Sequence, residues 1–190
     1  FPQSADLLKA MGADLERDLS RTIDLMNAYV GGQLQIKTDQ QFTDIDAALA
    51  QVIEWLKPQL DSRQISLRVV GQAGSSRARI EPIHFVQILV NLFRNSIEAL
   101  ARVPIGEGEI VVSQSYFDSS VTLTISDNGP GVSAEILSEI SEGFRTDKAH
   151  GMGLGLSIAR WIIDRHSGRF SFWSEPNKGF HVQMTLGASV

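Results

Sequence analysis

The segment from Ser126 to Gly155 contains the groups of this sequence that are best suited to binding a ligand. It opens with an acidic residue and two glycines in DNGPG, residues 127–131, and it closes with glycines at 151, 153 and 155 that lead into an apolar helical pattern. Glycine lets the backbone approach a ligand closely. A helix N-terminus behind such glycines presents unpaired N–H groups and partial positive charge to an anion. The pattern predicts a nucleotide site, with the base at the first end and the phosphates at the second.

A polar stripe is predicted on the helix that covers about residues 82–101. Asn91, Asn95 and Glu98 fall at i, i+4 and i+7, so they share one face of that helix. Two amides there are unusual, because asparagine gains little in a helix interior and prefers caps. The stripe is either solvated or turned towards a ligand cavity, and helical spacing alone leaves both readings open.

Two common phosphate-binding loops are absent from the sequence. It has no G-x-x-x-x-G-K-[ST] motif, which excludes a P-loop. The closing glycines do not form G-x-G-x-x-G, because position 156 is leucine and no strand pattern directly precedes them. A lone G-x-G-x-G is weak, so the order of the motifs along the chain has to decide.

That order resembles the catalytic ATP-binding domain of sensor histidine kinases, in the superfamily shared with gyrase, the Hsp90 chaperones and MutL. NLFRNSIEAL is similar to the N box of this family, SDNGPGV to its G1 box, and EGFRTDKAHGMGLGLSIAR to its F and G2 boxes. The segment IIDRHSGRFSFWSEPNKGFHVQMTL is similar to the usual ending of the family. The resemblance covers about residues 42–187 and is nearest to the oxygen- and nitrogen-sensing branch.

For the base, the resemblance implies that Asp127 accepts a hydrogen bond from the adenine 6-amino group. A buried carboxylate that reads an exocyclic amine rejects bases without that donor, since the carboxylate would be left unpaired. Gly129 and Gly131 would let the backbone pass beneath the base. The alternative for Asp127 is a carboxylate that only caps a turn.

For the metal and the reaction, the resemblance implies that the Asn95 amide oxygen ligates Mg²⁺, with phosphate oxygens and waters completing the octahedron. Asn91, one turn earlier, would face the same metal and phosphates. Related ATPases have a glutamate at this place to activate water, which an amide cannot do. Slow hydrolysis and transfer to an external imidazole are therefore expected. Glu98 would polarise or orient the acceptor, unless it is a surface charge.

For the phosphates, the resemblance implies a mobile lid over residues 142–153. Lys148 would reach the terminal phosphate as a point charge, and plain solvation of its ammonium group is the alternative. The residues assigned to phosphate binding in and beside the lid are Thr146, Lys148, Gly151, Gly153, Leu154 and Gly155.

The phospho-acceptor histidine of such kinases is not recognisable in this sequence. His84, His150, His166 and His181 all lack the H-[ED]-x-x-[NT]-P context, and the chain starts at Phe1, not Met. We expect a fragment in which residues 1–35 form the second helix of a dimerisation hairpin, followed by the catalytic domain at 36–190. An ordinary helix packed on its own domain is the alternative for the amphipathic pattern at residues 4–30.

Composition is that of an ordinary globular protein. The 190 residues are 43% hydrophobic and 21% charged, with a net charge of −5 and no cysteine. This balance argues against a nucleic-acid binder and excludes disulfides and cysteine metal sites. No apolar run is long enough to span a bilayer. We expect a cytoplasmic location, either as a separate protein or as the cytoplasmic part of a membrane-bound sensor.

The elements that must position these groups alternate between helices and short strands. Helical patterns cover about residues 45–60, 82–101 and 154–166, and strand patterns cover 65–69, 78–80, 110–117, 121–126, 170–174 and 180–186. Tight turns join the later strand pairs. We expect an α+β fold of the Bergerat type, with a mixed, largely antiparallel sheet covered on one face by helices and preceded by a long N-terminal helix.

Together, the motifs predict an ATP-dependent protein-histidine kinase domain of a two-component system, with Mg²⁺ as cofactor. The expected partners are a dimerisation helix with the acceptor histidine and a response regulator receiver domain, in a homodimeric parent protein. Two alternatives stay open. One is a degenerate kinase that binds nucleotide or dimerises to regulate a partner, and the other is a serine kinase of the anti-sigma-factor type.

Overall fold

The computed structural model describes residues 42–71, 77–141 and 153–189. This part of the chain forms a mixed sheet with helices on one face. The strands are β1 (Thr43–Asp44), β2 (Ser66–Val70), β3 (Arg77–Ala78), β4 (Glu109–Phe117), β5 (Ser120–Asp127), β6 (Arg169–Ser174) and β7 (Phe180–Ser189). The helices are α1 (Ile45–Ser62), α2 (Pro82–Leu100), α3 (Ala134–Ser141) and α4 (Gly153–Arg165). The predicted hairpin helix at 1–35 and most of the predicted lid lie outside the described residues.

The strand order is β1-β3-β7-β5-β4-β2, and β6 pairs with β7. Among the described strands only β2 and β4 run parallel, with Ser66 opposite Glu109. The pairs β4–β5, β5–β7 and β6–β7 are antiparallel. The expected α+β fold with a largely antiparallel mixed sheet is confirmed.

The long strands alternate between a buried and a less buried face, as period-two patterning requires. In β5 the buried positions are Val121, Leu123, Ile125 and Asp127. Their opposite numbers Ile110 and Val112 in β4 and Val182, Met184 and Leu186 in β7 are also buried. The helices supply the other half of this core, including Phe85, Ile88 and Leu89 of α2 and Ile162 and Ile163 of α4.

Helix α1 shows how packing overrides a local helix breaker. Its N-cap Asp44 accepts a hydrogen bond from the Ala47 N–H at 3.0 Å. Pro58 lies inside the helix, where it removes one backbone donor, yet α1 continues to Ser62. Pro58 itself is exposed, whereas Leu56 and Leu60 on either side of it are buried. Burial of those two leucines offsets the lost hydrogen bond.

Helix α3 was not predicted from the sequence. The Ser133 side-chain oxygen lies 3.5 Å from the Ile136 N–H, and the Ser133 carbonyl accepts from Leu137 at 2.9 Å. No residue of α3 is fully buried, and its apolar residues only rest against the core. A short helix with a half-buried stripe has weak periodicity, which explains why it was missed.

Candidate nucleotide-binding site

Asp127 is the last residue of β5 and continues the row of buried positions on its covered face. Its side chain follows Leu123 and Ile125 in register, so the alternation that buries these two also buries a carboxylate, which is only 7% exposed. The carboxylate therefore points under helix α2 and not into solvent.

Hydrogen bonds to both oxygens hold this carboxylate in place. Asp127 Oδ1 accepts from the Gly129 N–H at 2.9 Å and from the Phe180 N–H at 3.3 Å. Asp127 Oδ2 accepts from the Ser96 hydroxyl of α2 at 3.0 Å. The site is thus assembled from the end of β5, the start of β7 and the C-terminal half of α2.

Burial and these hydrogen-bond donors shift the pKa of Asp127 in opposite directions. Burial raises the pKa of the carboxyl above its usual 3.8, while the hydrogen bonds from Gly129, Ser96 and Phe180 and the charge of His181 oppose that rise. An ionised group held at a cost in a buried place gains from a ligand that brings another donor.

The polar stripe of α2 runs from a buried to an exposed position. Asn91 is only 7% exposed, Asn95 is half-buried and Glu98 is exposed. Both amide atoms of Asn95, Oδ1 and Nδ2, are buried without a hydrogen-bond partner among the described residues. Asn95 directly precedes Ser96, the α2 residue that binds the Asp127 carboxylate, but successive residues of a helix point in different directions. Buried polar atoms without a partner are rare in proteins, so those of Asn95 call for an explanation, such as a bound ion or water.

The glycine loop after β5 is docked on the turn between β6 and β7. A Cβ atom on Gly131 (φ +62°) would overlap the Glu175 carbonyl oxygen, and one on Gly179 (φ +80°) would overlap the Asp127 carbonyl oxygen. The Asn177 N–H donates to the Pro130 carbonyl at 2.7 Å. These contacts explain Gly131 by packing between two loops. Its expected role beneath the base stays a prediction.

The position of the Asp127 carboxylate explains why residue 129 is a glycine. A Cβ there would lie 2.8 Å from Asp127 Oδ1 and 3.3 Å from the Ala99 Cβ. The absence of a side chain lets the Gly129 N–H reach Asp127 Oδ1. Sequence reasoning assigned this glycine to the site, and the structure brings it into direct contact with Asp127.

Ser174, the buried last residue of β6, contacts the glycine loop and was not predicted from the sequence. Its hydroxyl donates to the Gly179 carbonyl at 2.6 Å and accepts from the Val132 N–H at 3.0 Å. Ser96 was missed in the same way. Both are serines inside regular elements, and the only sequence signal was the position of Ser96 next to Asn95.

We expect Gly179→Ala to destabilise the protein by about 2 kcal/mol or more. A non-glycine residue at this positive φ costs about 1–3 kcal/mol, and the overlap with the Asp127 carbonyl adds to that cost. Urea unfolding of both proteins measures the change. Gly187→Ala is the matched control, because a Cβ there meets nothing within 4 Å. Equal stabilities for the two variants would contradict this account of the loop.

The predicted phosphate-binding end is only partly described. The described part of helix α4 spans Gly153–Arg165, so Gly153, Leu154 and Gly155 form its first described turn. Helix α4 packs against α2, which carries Asn91 and Asn95. Thr146, Lys148 and Gly151 lie outside the described residues.

Within residues 42–71, 77–141 and 153–189, no group of three or more histidine, cysteine, aspartate or glutamate side chains could hold a metal ion. Neutral amide oxygens such as that of Asn95 can join phosphate oxygens and waters around a metal ion. That donor set suits a hard cation that keeps its waters and binds phosphates, as Mg²⁺ does.

The histidines in the described residues each contact another imidazole or aromatic ring. His84 Nδ1 and His166 Nε2 are 3.1 Å apart, between the start of α2 and the residue after α4. Burial, followed by the charge of His84, lowers the pKa of His166. His181 stacks on Trp173, with ring centroids 5.2 Å apart. His150 lies outside the described residues.

A mixed sheet, a buried acidic residue under a helix and a glycine loop that follows this residue are features of a class of nucleotide-binding ATPase domain. The sequence profile of the family described as Histidine kinase-, DNA gyrase B-, and HSP90-like ATPase matches residues 80–189. This is more than half of the chain, which therefore belongs to that family.

Within the family, the similar proteins are sensor kinases. Sensor histidine kinase ZraS of Klebsiella oxytoca is 30% identical over 166 residues, which are 85% of this chain and 35% of that protein. Sensor protein FixL of Bradyrhizobium diazoefficiens is 35% identical over 130 residues, 67% of this chain and 25% of that protein. The chain is thus homologous to the ATPase domain of sensor histidine kinases and spans about a third or less of these relatives.

Solved structures show the same fold. The nucleotide-free catalytic domain of histidine kinase ThkA has a TM-score of 0.66 at 24% identity, covering 78% of this chain and 96% of that one. Full-length ShkA in complex with AMPPNP has a TM-score of 0.68 at 20% identity, covering 96% and 39%. Among the described residues of our chain, no helix is long and apolar enough to cross a membrane.

Proposed function

We propose that this domain binds ATP and transfers its γ-phosphoryl group to a histidine on a dimerisation helix. The observation that carries the proposal is the buried Asp127 carboxylate, which accepts from Ser96 of α2. The Asn95 amide of the same helix has no partner among the described residues. The carboxylate offers an acceptor for a base, and the amide offers an oxygen ligand for a metal. Family membership makes ATP the natural occupant.

The base would bind at Asp127. The adenine 6-amino group donates to the carboxylate, with Gly129 and Gly131 alongside the ring. A hydrogen bond to a charged group is worth about 1.5–3 kcal/mol. A base that brings no donor forgoes this hydrogen bond and leaves the remaining acceptor position of the buried carboxylate unfilled.

The residues present fit a magnesium ion. Asn95 Oδ1 is a buried oxygen without a partner among the described residues, and Asn91 lies one turn before it on the same helix. Asn95 would be the protein ligand and Asn91 would face the metal and phosphates. When bound, Mg²⁺ supplies charge neutralisation at the phosphate oxygens.

The phosphates would be bound by the lid and the start of α4. We propose Thr146, Lys148, Gly151, Gly153, Leu154 and Gly155 for this role, with the Lys148 ammonium as a catalytic point charge at the terminal phosphate. Backbone N–H groups at a helix start favour an anion.

The proposed reaction needs no base to make the nucleophile. A neutral imidazole nitrogen attacks the γ-phosphorus with its own lone pair, the bond from phosphorus to the bridging oxygen breaks, and ADP leaves with that electron pair. Asn91 cannot deprotonate water, which limits hydrolysis. Glu98 is exposed, and we propose that it orients the incoming imidazole.

The partners follow from this chemistry. ThkA has been solved in complex with the response regulator protein TrrA, at a TM-score of 0.64 and 20% identity to our chain. We propose a response regulator receiver domain as the final phosphoryl acceptor, and a homodimeric parent protein in which the catalytic domain works in the cytoplasm.

Incubation with γ-labelled ATP, Mg²⁺ and a separate dimerisation hairpin tests the proposal. We expect label on the hairpin that is lost in acid and kept in base, as for phosphohistidine, and none on a hairpin whose acceptor histidine is glutamine. ATP binding without transfer would instead favour a nucleotide-binding regulatory module. An acid-stable label would favour a serine kinase.

A further inference from the structure

Ser96 occupies part of the acceptor capacity of the carboxylate that would read the base. An ionised carboxylate has about four lone-pair positions on its two oxygens. Asp127 Oδ1 already accepts from the Gly129 and Phe180 N–H groups. Asp127 Oδ2 accepts from the Ser96 hydroxyl. The contacts of residues 42–71, 77–141 and 153–189 thus leave one position, on Oδ2, for a ligand.

The Ser96 hydroxyl is well placed to keep that position occupied. Ser96 is only 6% exposed, so bulk water does not compete for its proton. A serine inside a helix can donate back to its own helix, but here the hydroxyl reaches a charged acceptor in another element, 31 positions away. Charge-assisted hydrogen bonds are roughly twice as strong as neutral ones.

A single free acceptor position distinguishes the two purines. The base-pairing edge of adenine brings one donor group, its 6-amino group, and adenine N1 is an acceptor. Guanine brings two neighbouring donors, N1–H and the 2-amino group, beside a carbonyl oxygen that a carboxylate repels. With one position free, one guanine donor stays buried and unpaired, which costs about 1–3 kcal/mol.

We infer that Ser96 is a specificity-determining residue, which restricts Asp127 to one incoming hydrogen bond and thereby selects adenine over guanine nucleotides. The inference rests on the proposed function, because it assumes that a purine binds at Asp127. It adds to that function a residue that does not touch the base and acts through the carboxylate.

Titration calorimetry of the full chain with Mg²⁺ and ATP, GTP or ITP tests this role. Ser96→Ala keeps a strong helix former at this position and frees the second Oδ2 position. We expect the preference for ATP over GTP to fall by about tenfold, which corresponds to about 1.4 kcal/mol. Affinity for ITP, whose base lacks the 2-amino donor, should rise less than affinity for GTP.

Two further variants separate selectivity from packing. Ser115→Ala removes an exposed serine hydroxyl on β4 and should leave all three affinities unchanged. Ser96→Thr keeps the hydroxyl, so this variant should keep the ATP preference of the unmodified chain. If Ser96→Ala weakens ATP and GTP binding equally, or improves GTP and ITP binding equally, the role in selectivity is overturned.

Failure of the inference is distinguishable from failure of the proposed function. If the unmodified chain binds ATP through Asp127 but its ATP preference survives Ser96→Ala, only the inference fails. If the unmodified chain binds none of the three nucleotides, the proposed function fails and the role of Ser96 is overturned with it.

Discussion

Replacement of Asp127 by asparagine is expected to weaken ATP binding by about two orders of magnitude or more. The amide has the same shape, so its oxygen keeps the hydrogen bonds from Gly129 and Phe180. Its nitrogen then faces the adenine 6-amino group, donor against donor. The loss of a charged hydrogen bond and an unpaired buried donor together amount to roughly 3–6 kcal/mol, at about 1.4 kcal/mol for each factor of ten.

The same substitution should stabilise the protein when no nucleotide is present. Burial raises the pKa of Asp127 in the folded state above its ordinary 3.8. The folded state therefore loses stability relative to the unfolded chain as the pH rises from below 3.8 through the raised folded pKa. The substituted amide does not ionise, so Asp127→Asn should have the higher melting temperature at neutral pH. That advantage should shrink in acid.

Calorimetric titration with Mg-ATP and melting curves from acid to neutral pH measure both effects. Asp164→Asn is the matched control, because Asp164 lies exposed on α4. It should leave ATP affinity unchanged. An Asp127→Asn protein that folds and binds ATP as tightly as the unmodified chain would refute the assigned pocket.

The second large effect is expected for Asn95→Ala, which should remove most of the Mg²⁺-dependence of ATP binding. Asn95 Oδ1 is one of two buried side-chain oxygens without a partner among the described residues, the other being Gln114 Oε1. Even residues that only support a metal ligand are worth about 10- to 100-fold in metal affinity. We therefore expect the gain in ATP affinity on adding Mg²⁺ to fall by about tenfold or more, measured by titrations in Mg²⁺ and in EDTA.

The stability of the nucleotide-free protein should not fall in this variant. Asn95→Ala removes two buried polar atoms that lack partners among the described residues and introduces a better helix former. Asn128→Ala provides the contrast, because the Asn128 side chain accepts from the Glu109 N–H at 2.7 Å and donates to the Glu107 carbonyl at 2.8 Å. That variant should lose stability and keep its response to Mg²⁺. An Asn95→Ala protein with a full Mg²⁺ response would count against the ligand.

Much of the fold could be predicted from the sequence because it depends on near neighbours in the chain. Alternation along residues 121–126 predicts a strand, and the structure has this strand at Ser120–Asp127, with one buried face. Pro82 suits a first helical turn, and α2 begins there. The ordered motifs identified the family, which the profile match confirms.

Pairings between distant segments could not be predicted from such local signals. Periodicity does not say which strand lies beside which, so the parallel pairing of β2 with β4 had no signal. The half-buried α3 had too little apolar contrast to be predicted.

At the site, the sequence indicated the types of the residues but not which residues contact each other. From the residue types alone one could predict that an acidic residue, two amides and a set of glycines follow each other in a nucleotide-binding order. The contact of the Ser96 hydroxyl with Asp127, and that of Gly179 with the Asp127 backbone, became visible in the folded protein. Those contacts join residues far apart in the chain. They exist because the core brings α2 and the β6–β7 turn to the end of β5, which no local pattern encodes.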